Sequence, residues 1–263
     1  MNVDILACVR GRGLFALNIC LDLNTAWLHT RDTILEALSP TRCVGCERPG
    51  ALLCDRCRRE LIRIDPLHAC PRCGAPFGDL LCTECREIEM ACDRCLTAAV
   101  FDGVPARMVR TYKDGGERRL ADVIAELMLD AARAAEQDGG PRWDDLLSGA
   151  DAATFVPATA AAFRRRGFDH MDEVARTFSE RAGIPLTDAL AKRGRSDQRA
   201  LGRAGRREQA QGVYQVVANV QGQRLLLLDD VITTGATVSA AAEALKRASA
   251  ATVDAVALAR VWG

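Results

Sequence analysis

The clearest site for chemistry in this chain is an apolar run that ends in two carboxylates and a threonine-rich turn. Residues 225–228 are all leucine, Asp229 and Asp230 follow directly, and residues 233–237 read Thr-Thr-Gly-Ala-Thr. A buried strand that turns into a helix presents unpaired backbone N–H groups to an anion, with the helix dipole behind them. Carboxylates repel phosphate and suit hydroxyl groups, so the pattern predicts a ligand with a phosphate beside a diol.

The predicted phosphate loop is Thr233, Thr234, Gly235, Ala236 and Thr237. Gly235 allows close approach of the backbone to the anion, and the threonine hydroxyls add hydrogen-bond donors. One alternative is a plain strand end with solvated aspartates. Another is a Walker B strand, but that requires a G-x-x-x-x-G-K-[ST] loop, which the chain lacks.

Basic residues follow a second predicted strand at 154–156. Arg164, Arg165 and Arg166 are expected in a loop at the same edge of the sheet, where their planar guanidinium groups can meet a pyrophosphate. Asp169 can cap the next helix, and His170, beside that helix start, is expected at the surface. Lys113 lies in a predicted turn, where it either reaches a phosphate or is a solvated surface lysine.

Ten of the twelve cysteines lie between residues 43 and 95, all in Cys-x-x-Cys pairs, and the first eight of these form an internal repeat. Two pairs supply four thiolates, the ligand set of a closed structural zinc site, whereas a redox role predicts a single pair at a helix start. We therefore expect two structural Zn²⁺ sites, although ligands interleaved between the repeats remain an alternative. The first cysteine cluster is Cys43, Cys46, Cys54 and Cys57; the second is Cys70, Cys73, Cys82 and Cys85. Cys92 and Cys95 lie outside the repeat and receive no role.

Composition indicates a globular protein of two modules. Hydrophobic residues make up 49% of the 263 residues, and 35 basic residues balance 35 acidic ones, so charge favours no class of partner. Apolar residues near the N-terminus are interrupted by charges, so no membrane span is predicted and a cytoplasmic location is expected. Aromatic residues are only 5% of the chain, which gives little support to base stacking with nucleic acid.

Strand-like and helix-like segments alternate after the cysteines, which predicts an α/β fold with a mainly parallel sheet. A basic segment at 192–212 is expected to be a mobile surface element or a lid, although a plain linker would look similar. A short helix is also expected within residues 32–38. The predicted strands and helices cover residues 98–101, 104–112, 117–136, 154–156, 169–181, 224–228, 236–248 and 252–259.

The run from Leu225 to Thr237 resembles the phosphoribosyl pyrophosphate signature of type I phosphoribosyltransferases. With the cysteine repeat and the Arg-Arg-Arg-Gly-Phe run at 164–168, the chain resembles the ComF/GntX-like family, in which a double zinc ribbon precedes such a domain. The resemblance implies that Asp229 and Asp230 bind the ribose hydroxyls and that residues 233–237 hold the 5-phosphate. It also implies Mg²⁺ bound with the substrate, and Lys113 matches a family lysine. Asp169-His170 replaces the family's usual Asn-Gln, so the roles of those amides do not carry over.

The expected organisation is an N-terminal extension at 1–40, a double zinc ribbon at 41–97 and a type I phosphoribosyltransferase-like domain at 98–263. The expected activity is that of a glycosyltransferase that transfers a phosphoribosyl group from phosphoribosyl pyrophosphate. A ligand sensor without catalysis and a DNA-processing accessory are the alternatives. The last follows from the family alone and would have single-stranded DNA or the DNA-uptake machinery of competence as partner.

Overall fold

The computed structural model describes residues 40 to 262 except residues 79, 88 and 193–212. The short helix predicted at 32–38 and nearly all of the basic segment at 192–212 lie outside the described residues. Within the described part of the chain, no helix has the length and apolar character needed to cross a membrane.

Short helices occur in the cysteine-rich region, and longer helices alternate with strands after it. In chain order the elements are α1 (Asp55–Arg59), α2 (Thr83–Glu87), β1 (Arg94–Val100), α3 (Gly103–Lys113), α4 (Leu120–Asp138), β2 (Ala152–Phe155), α5 (Ala160–Arg166), α6 (His170–Ala182), β3 (Leu190–Lys192), β4 (Tyr214–Val216), β5 (Arg224–Ile232), α7 (Ala236–Arg247) and β6 (Thr252–Arg260).

The main sheet has the strand order β1-β6-β5-β2, and every pair in it is parallel. A parallel bridge between Ala153 and Leu186 continues the sheet beyond β2. β3 and β4 form a separate antiparallel pair. The prediction of a mainly parallel α/β sheet is confirmed.

Alternate side chains of β5 enter different hydrophobic cores, because successive residues of a strand point to opposite faces. Leu226 and Leu228 pack in the core that contains α4 and α6. Leu225 and Leu227 pack in the core that contains α7. All four are at most 1% exposed, so both faces of β5 are covered, as in other parallel sheets.

Two predictions about local structure at the site were wrong. β5 does not stop at Asp229 but continues to Ile232, since its ladder with β6 runs on to the pair Ile232–Arg260. The arginine run is helical rather than a loop: the Thr159 hydroxyl accepts a hydrogen bond from the Ala162 N–H at 3.0 Å and so caps α5. Gly167, with a φ of 78°, ends this helix in the left-handed conformation.

The two cysteine repeats pack on different parts of the sheet domain. Cys43 and Cys57 belong to the core beside α3 and α4. The second cysteine cluster forms a small core of its own, against which Met90 and Trp262 pack. Trp262 lies two residues beyond the end of β6, so the second repeat lies at the carboxyl edge of the sheet.

Candidate functional site

Asp229 and Asp230 lie inside β5 near its carboxyl end, and both are buried, with 6% and 5% of their surface exposed. The Asp230 N–H donates to Asp229 Oδ1 at 2.9 Å, and the Val231 N–H donates to Asp230 Oδ1 at 2.8 Å. The alternation of β5 places Asp230 on the α6 face and Asp229 on the α7 face. The two carboxylates therefore flank the end of one strand.

Lys113, at the end of α3, forms an ion pair with Asp230 through its ammonium group. Burial acts to raise the pKa of Asp230, but the Lys113 charge and the hydrogen bond from Val231 hold it below its ordinary value. Burial and the neighbouring charge of Asp230 raise the pKa of Asp229 well above its ordinary value. The pKa values of the two carboxyl groups are therefore shifted in opposite directions, as expected for two acids that share a buried site.

His170 is the first residue of α6 and is only 6% exposed, so its expected surface position was wrong. Its Nε2 lies 3.7 Å from Asp230 Oδ2, and its backbone carbonyl accepts a hydrogen bond from the Tyr112 hydroxyl at 2.6 Å. Burial lowers the pKa of His170 to about 4, so the ring is neutral at pH 7. Sequence reasoning missed Tyr112 and His170 because nothing in their local pattern shows that α3 and α6 meet at Asp230.

The Asp169 carboxylate organises the start of α6. It accepts hydrogen bonds from the Met171 N–H at 3.0 Å and from the Ala158 N–H at 2.7 Å. The first bond is the predicted helix cap, which is confirmed. The second bond ties the turn after β2 to α6, which sets the position of the intervening helix α5.

The candidate phosphate loop, residues 233–237, joins β5 to α7. Gly235 adopts a φ of 78° immediately before the first helical residue, Ala236. The Thr233, Thr234 and Thr237 side chains are exposed, and the first N–H groups of α7 have no partner within the helix. Hydroxyl and amide donors therefore surround the N-terminus of a helix, an arrangement suited to an anion.

The three predicted arginines are divided by the helical turn of α5. Arg164 and Arg165 are exposed, whereas the Arg166 side chain is only 12% exposed. Arg166 Nη1 lies 3.4 Å from His170 Nδ1, and Arg166 Nη2 lies 3.6 Å from Asp114. Arg166 thus contacts His170, which lies beside Asp230. Arg164 and Arg165 are exposed, and Arg165 Nη2 lies 3.7 Å from Asp114 Oδ1.

Each cysteine repeat brings four thiol sulfurs together, all within 4.8 Å of one another. The first set is Cys43, Cys46, Cys54 and Cys57, and the second is Cys70, Cys73, Cys82 and Cys85. Each set comes from a single repeat, so the structure shows no interleaving of the eight ligands. Cys92 and Cys95 are buried apart from both sets, and the Cys92 thiol donates to the Val238 carbonyl at 3.8 Å.

The two clusters repeat the same internal geometry. The Cys46 and Cys54 sulfurs are 3.7 Å apart, as are those of Cys73 and Cys82. Metal–sulfur bonds of about 2.3 Å in a tetrahedron place sulfurs about 3.8 Å apart, so both sets fit a tetrahedral ion. A hydrogen bond with Cys73 and bonds from backbone N–H groups lower the pKa of the Cys70 thiol to about 4 despite its burial. Burial raises the pKa of Cys85 to about 12, so full ionisation of the second cluster requires a cation.

Arg260, the last residue of β6, links this second cluster to the candidate phosphate loop and was missed by sequence reasoning. It is 1% exposed and donates to the Thr233 carbonyl on one side and to Glu84 on the other. The available signal was a single charge at the end of an otherwise apolar strand. That signal does not say which groups the guanidinium contacts.

The model of the family described as "Phosphoribosyl transferase domain" matches residues 159–261. Curated relatives cover more of the chain. DNA utilization protein YhgH of Salmonella typhi is 28% identical over 224 residues, which span 82% of this chain and 95% of that protein. Competence protein F of Haemophilus influenzae is 23% identical over 237 residues, which span 84% and 95%.

Solved structures give more distant matches. A chain described as the allosteric regulatory enzyme of purine biosynthesis is 23% identical, with a TM-score of 0.33, over 52% of this chain and 26% of that one. Hypoxanthine phosphoribosyltransferase of Trypanosoma cruzi is 13% identical, with a TM-score of 0.28, over 54% and 66%. The phosphoribosyltransferase domain match, the relatives that span both modules and the two four-cysteine clusters together support the predicted resemblance to the ComF/GntX-like family.

Proposed function

We propose that the carboxyl edge of the sheet binds phosphoribosyl pyrophosphate and transfers its phosphoribosyl group to an acceptor. The observation that carries this proposal is the juxtaposition of Asp229 and Asp230 with the candidate phosphate loop. The loop and the N-terminus of α7 take the 5-phosphate, and the two carboxylates take the ribose hydroxyls. An ionised carboxylate at this place also stabilises positive charge that develops at the anomeric carbon when pyrophosphate leaves.

In this proposal Lys113 is the counter-ion of Asp230 before the sugar binds. Its ammonium moves from the carboxylate towards the pyrophosphate when a ribose hydroxyl occupies Asp230. Arg166, at the inner end of α5, is the arginine best placed to join it. Arg164 and Arg165 lie on the solvent side, where they can meet the outer pyrophosphate oxygens or a polynucleotide.

Mg²⁺ enters this scheme with the substrate. Among the described residues, the groups of three or more metal-ligating side chains close enough to share an ion are the two cysteine clusters. Mg²⁺ prefers oxygen ligands, so the ion would be held mostly by substrate oxygens and water, and it would neutralise charge on the pyrophosphate.

We propose Zn²⁺ as the ion of both cysteine clusters. Four thiolates at tetrahedral spacing form a closed site without an open position for catalysis, so the metal stabilises the fold. This assigns residues 41–97 to a double zinc ribbon and residues 98–263 to the phosphoribosyltransferase-like domain, with β1 of the sheet starting slightly earlier at Arg94.

Calorimetric titration with phosphoribosyl pyrophosphate and Mg²⁺, followed by an assay of pyrophosphate release with pooled bases, tests the proposal. We expect Asp229→Asn and Asp230→Asn to weaken binding at least tenfold, because each replaces a carboxyl oxygen that accepts from a ribose hydroxyl with an amide nitrogen. Asp93→Asn is the matched control, since Asp93 is an exposed aspartate paired with Lys246 at 2.7 Å. Equal binding by all variants would refute the site, and binding without pyrophosphate release would favour a sensor over an enzyme.

The names of the relatives favour a second candidate, an accessory role in DNA handling. Proteins named for DNA utilization and competence span both modules of this chain, so the role would include the zinc ribbon. The exposed Arg164 and Arg165 offer charge to a phosphate backbone. A salt-dependent gel shift with single-stranded DNA tests this: the double alanine variant should bind more weakly and lower the salt slope by about 1.4. An unchanged slope would remove these arginines from the DNA site.

A further inference from the structure

Arg260 holds one side of the candidate phosphate loop from inside the protein. Its Nη1 donates to the backbone carbonyls of Thr233 and Val261, and the Ile232 carbonyl lies 3.4 Å away. These carbonyls belong to the end of β5, the start of the loop and the residue after β6. Because a single guanidinium ties them together, the loop cannot shift without breaking charge-assisted hydrogen bonds.

The other side of the same guanidinium faces the second cysteine cluster. Arg260 Nη2 lies 2.7 Å from Glu84 Oε2 and 3.7 Å from Cys73 Sγ. The Arg260 side chain is 1% exposed, whereas the Glu84 side chain is 55% exposed. A buried guanidinium needs a nearby anion, and four thiolates around a divalent ion carry a net charge of two minus.

A second contact joins the same two regions. Met90, which packs against the second cluster, lies so close to Gly235 that a Cβ built there would be 2.4 Å from the Met90 sulfur. The second cysteine repeat is also hydrogen-bonded to the sheet, because the Thr97 hydroxyl of β1 donates to the Gly74 carbonyl at 2.7 Å. A change in the conformation of the second cluster would therefore change the conformation of the candidate phosphate loop.

The first cysteine cluster provides the internal comparison, since it faces a different part of the domain. A Cβ at Gly45 would meet Cys57 and also Val104 of α3. Arg58 forms an ion pair with Glu126 of α4 at 3.2 Å. These contacts join the first cluster to helices α3 and α4 and not to the candidate phosphate loop.

We propose that Arg260 is a positioning residue that couples the second cysteine cluster to the candidate phosphate loop. The loop keeps its anion-binding shape only while Cys70, Cys73, Cys82 and Cys85 are held together by a metal ion. The identity of the loop as a phosphate site rests on the proposed function; the coupling itself is a property of loop order and is measured separately.

Hydrogen exchange of the amides at 231–238, followed by mass spectrometry on the full metal-loaded chain, measures the coupling. Cys82→Ser and Cys54→Ser are matched variants, because the N–H of each cysteine lies 3.4 Å from the first sulfur of its own cluster. We expect Cys82→Ser to speed exchange at the loop about tenfold, the effect of losing a charge-assisted hydrogen bond. Cys54→Ser should leave it unchanged, and the amides at 152–155 report whether the sheet remains folded. Equal acceleration by both variants would overturn the proposal.

Two further variants separate coupling from a purely structural role. Arg260→Lys keeps the charge but loses the planar guanidinium, which donates to the loop and to Glu84 at the same time. Glu84→Gln weakens the ion pair beside the second cluster, with little risk to folding because the Glu84 side chain is exposed. Each should speed exchange at the loop. In the Arg260→Lys background, Cys82→Ser should add little, because the connection is already broken. Effects that multiply would show that the two residues act independently and would overturn the proposal.

Binding of ribose 5-phosphate by the same proteins distinguishes this inference from the proposed function. We expect about tenfold weaker binding in Cys82→Ser and unchanged binding in Cys54→Ser. If the unaltered protein binds neither ribose 5-phosphate nor phosphoribosyl pyrophosphate, the proposed function fails, while the exchange rates still decide the coupling.

Discussion

Replacing Lys113 by methionine removes the ammonium group that holds Asp230 ionised. Methionine keeps the length and most of the apolar stem of the side chain, so the change isolates the charge. The variant leaves Asp229 and Asp230 as adjacent buried acids in β5, without the cation that forms an ion pair with Asp230. We expect a loss of stability whose size depends on pH.

The magnitude follows from the electrostatics of the pair. An opposite charge within hydrogen-bonding distance lowers a carboxyl pKa by about 1–3 units, and each unit is worth about 1.4 kcal/mol. The Asp230 side chain is 7% exposed, so water screens it little, but Lys113 is 21% exposed and retains part of its hydration. We therefore expect Lys113→Met to lower the free energy of unfolding by about 2 kcal/mol at pH 7.

The sign of the pH dependence separates this effect from lost packing. In the unaltered protein the pKa of Asp230 lies below its ordinary value, so the ion pair stabilises the fold above that ordinary pKa and is lost as pH falls through the folded pKa. In the variant, burial is no longer opposed by Lys113, so the pKa of Asp230 rises above its unfolded value. The destabilisation of the variant is therefore largest at pH 7 to 8 and shrinks as Asp230 becomes protonated at lower pH.

Urea unfolding followed by circular dichroism at pH 5.5 and pH 8 measures the difference between the variant and the unaltered protein. Both contain the same cysteine clusters, so the pH dependence of metal binding cancels in that difference. Lys246→Met is the control, because the pair of Lys246 and Asp93 is more than one third exposed on both sides and should be worth less than about 1 kcal/mol. Equal losses in the two variants, or a loss at Lys113 that is the same at both pH values, would refute the reasoning.

Three further predictions concern the loop, the buried imidazole and the clusters. Gly235→Ala should destabilise the protein more than Gly222→Ala in thermal unfolding, because both glycines have positive φ but only the new Cβ at 235 meets the Met90 sulfur. Equal changes in melting temperature would show that the Met90 side chain moves away from the new Cβ at no cost. His170 should titrate near pH 4 in NMR spectra because burial lowers its pKa to about 4, and a midpoint at 6.5 would place the ring in water. A chromogenic assay after thiol modification should release two Zn²⁺ per chain, one from each cluster; release of a single ion would leave one cluster without zinc.

The parallel fold and the grouping of the cysteines were accessible from local patterns. The all-leucine run at 225–228, ended by two aspartates, predicts a strand covered on both faces, and alternation of strands with helices then implies a parallel sheet. Cys-x-x-Cys pairs at short separation define their own geometry, because one tight turn presents two sulfurs. The predicted sets of four are those that the structure brings within 4.8 Å.

The ends of helices and strands were predicted less accurately than their existence. The cap at Thr159 and the left-handed glycine at 167 mark both ends of α5, yet the charge of the arginine run favoured a loop interpretation. β5 runs on through Asp229 and Asp230 because its partner β6 continues alongside to Arg260. Aspartate has a low intrinsic preference for strands, so only pairing with a neighbouring strand explains this extension.

The amino-acid sequence determined the functional groups that lie within one strand, one turn or one repeat. These are the carboxylates before a threonine loop and the two sets of four thiols. Tertiary packing decided which of these groups are charged and what they touch. Lys113, His170 and Asp230 come from three separate elements, and the positions of Arg260, Glu84 and the candidate phosphate loop depend on how β5, β6 and the second repeat meet. Burial and long-range contact set these ionisation states, and neither can be read from the spacing of residues along the chain.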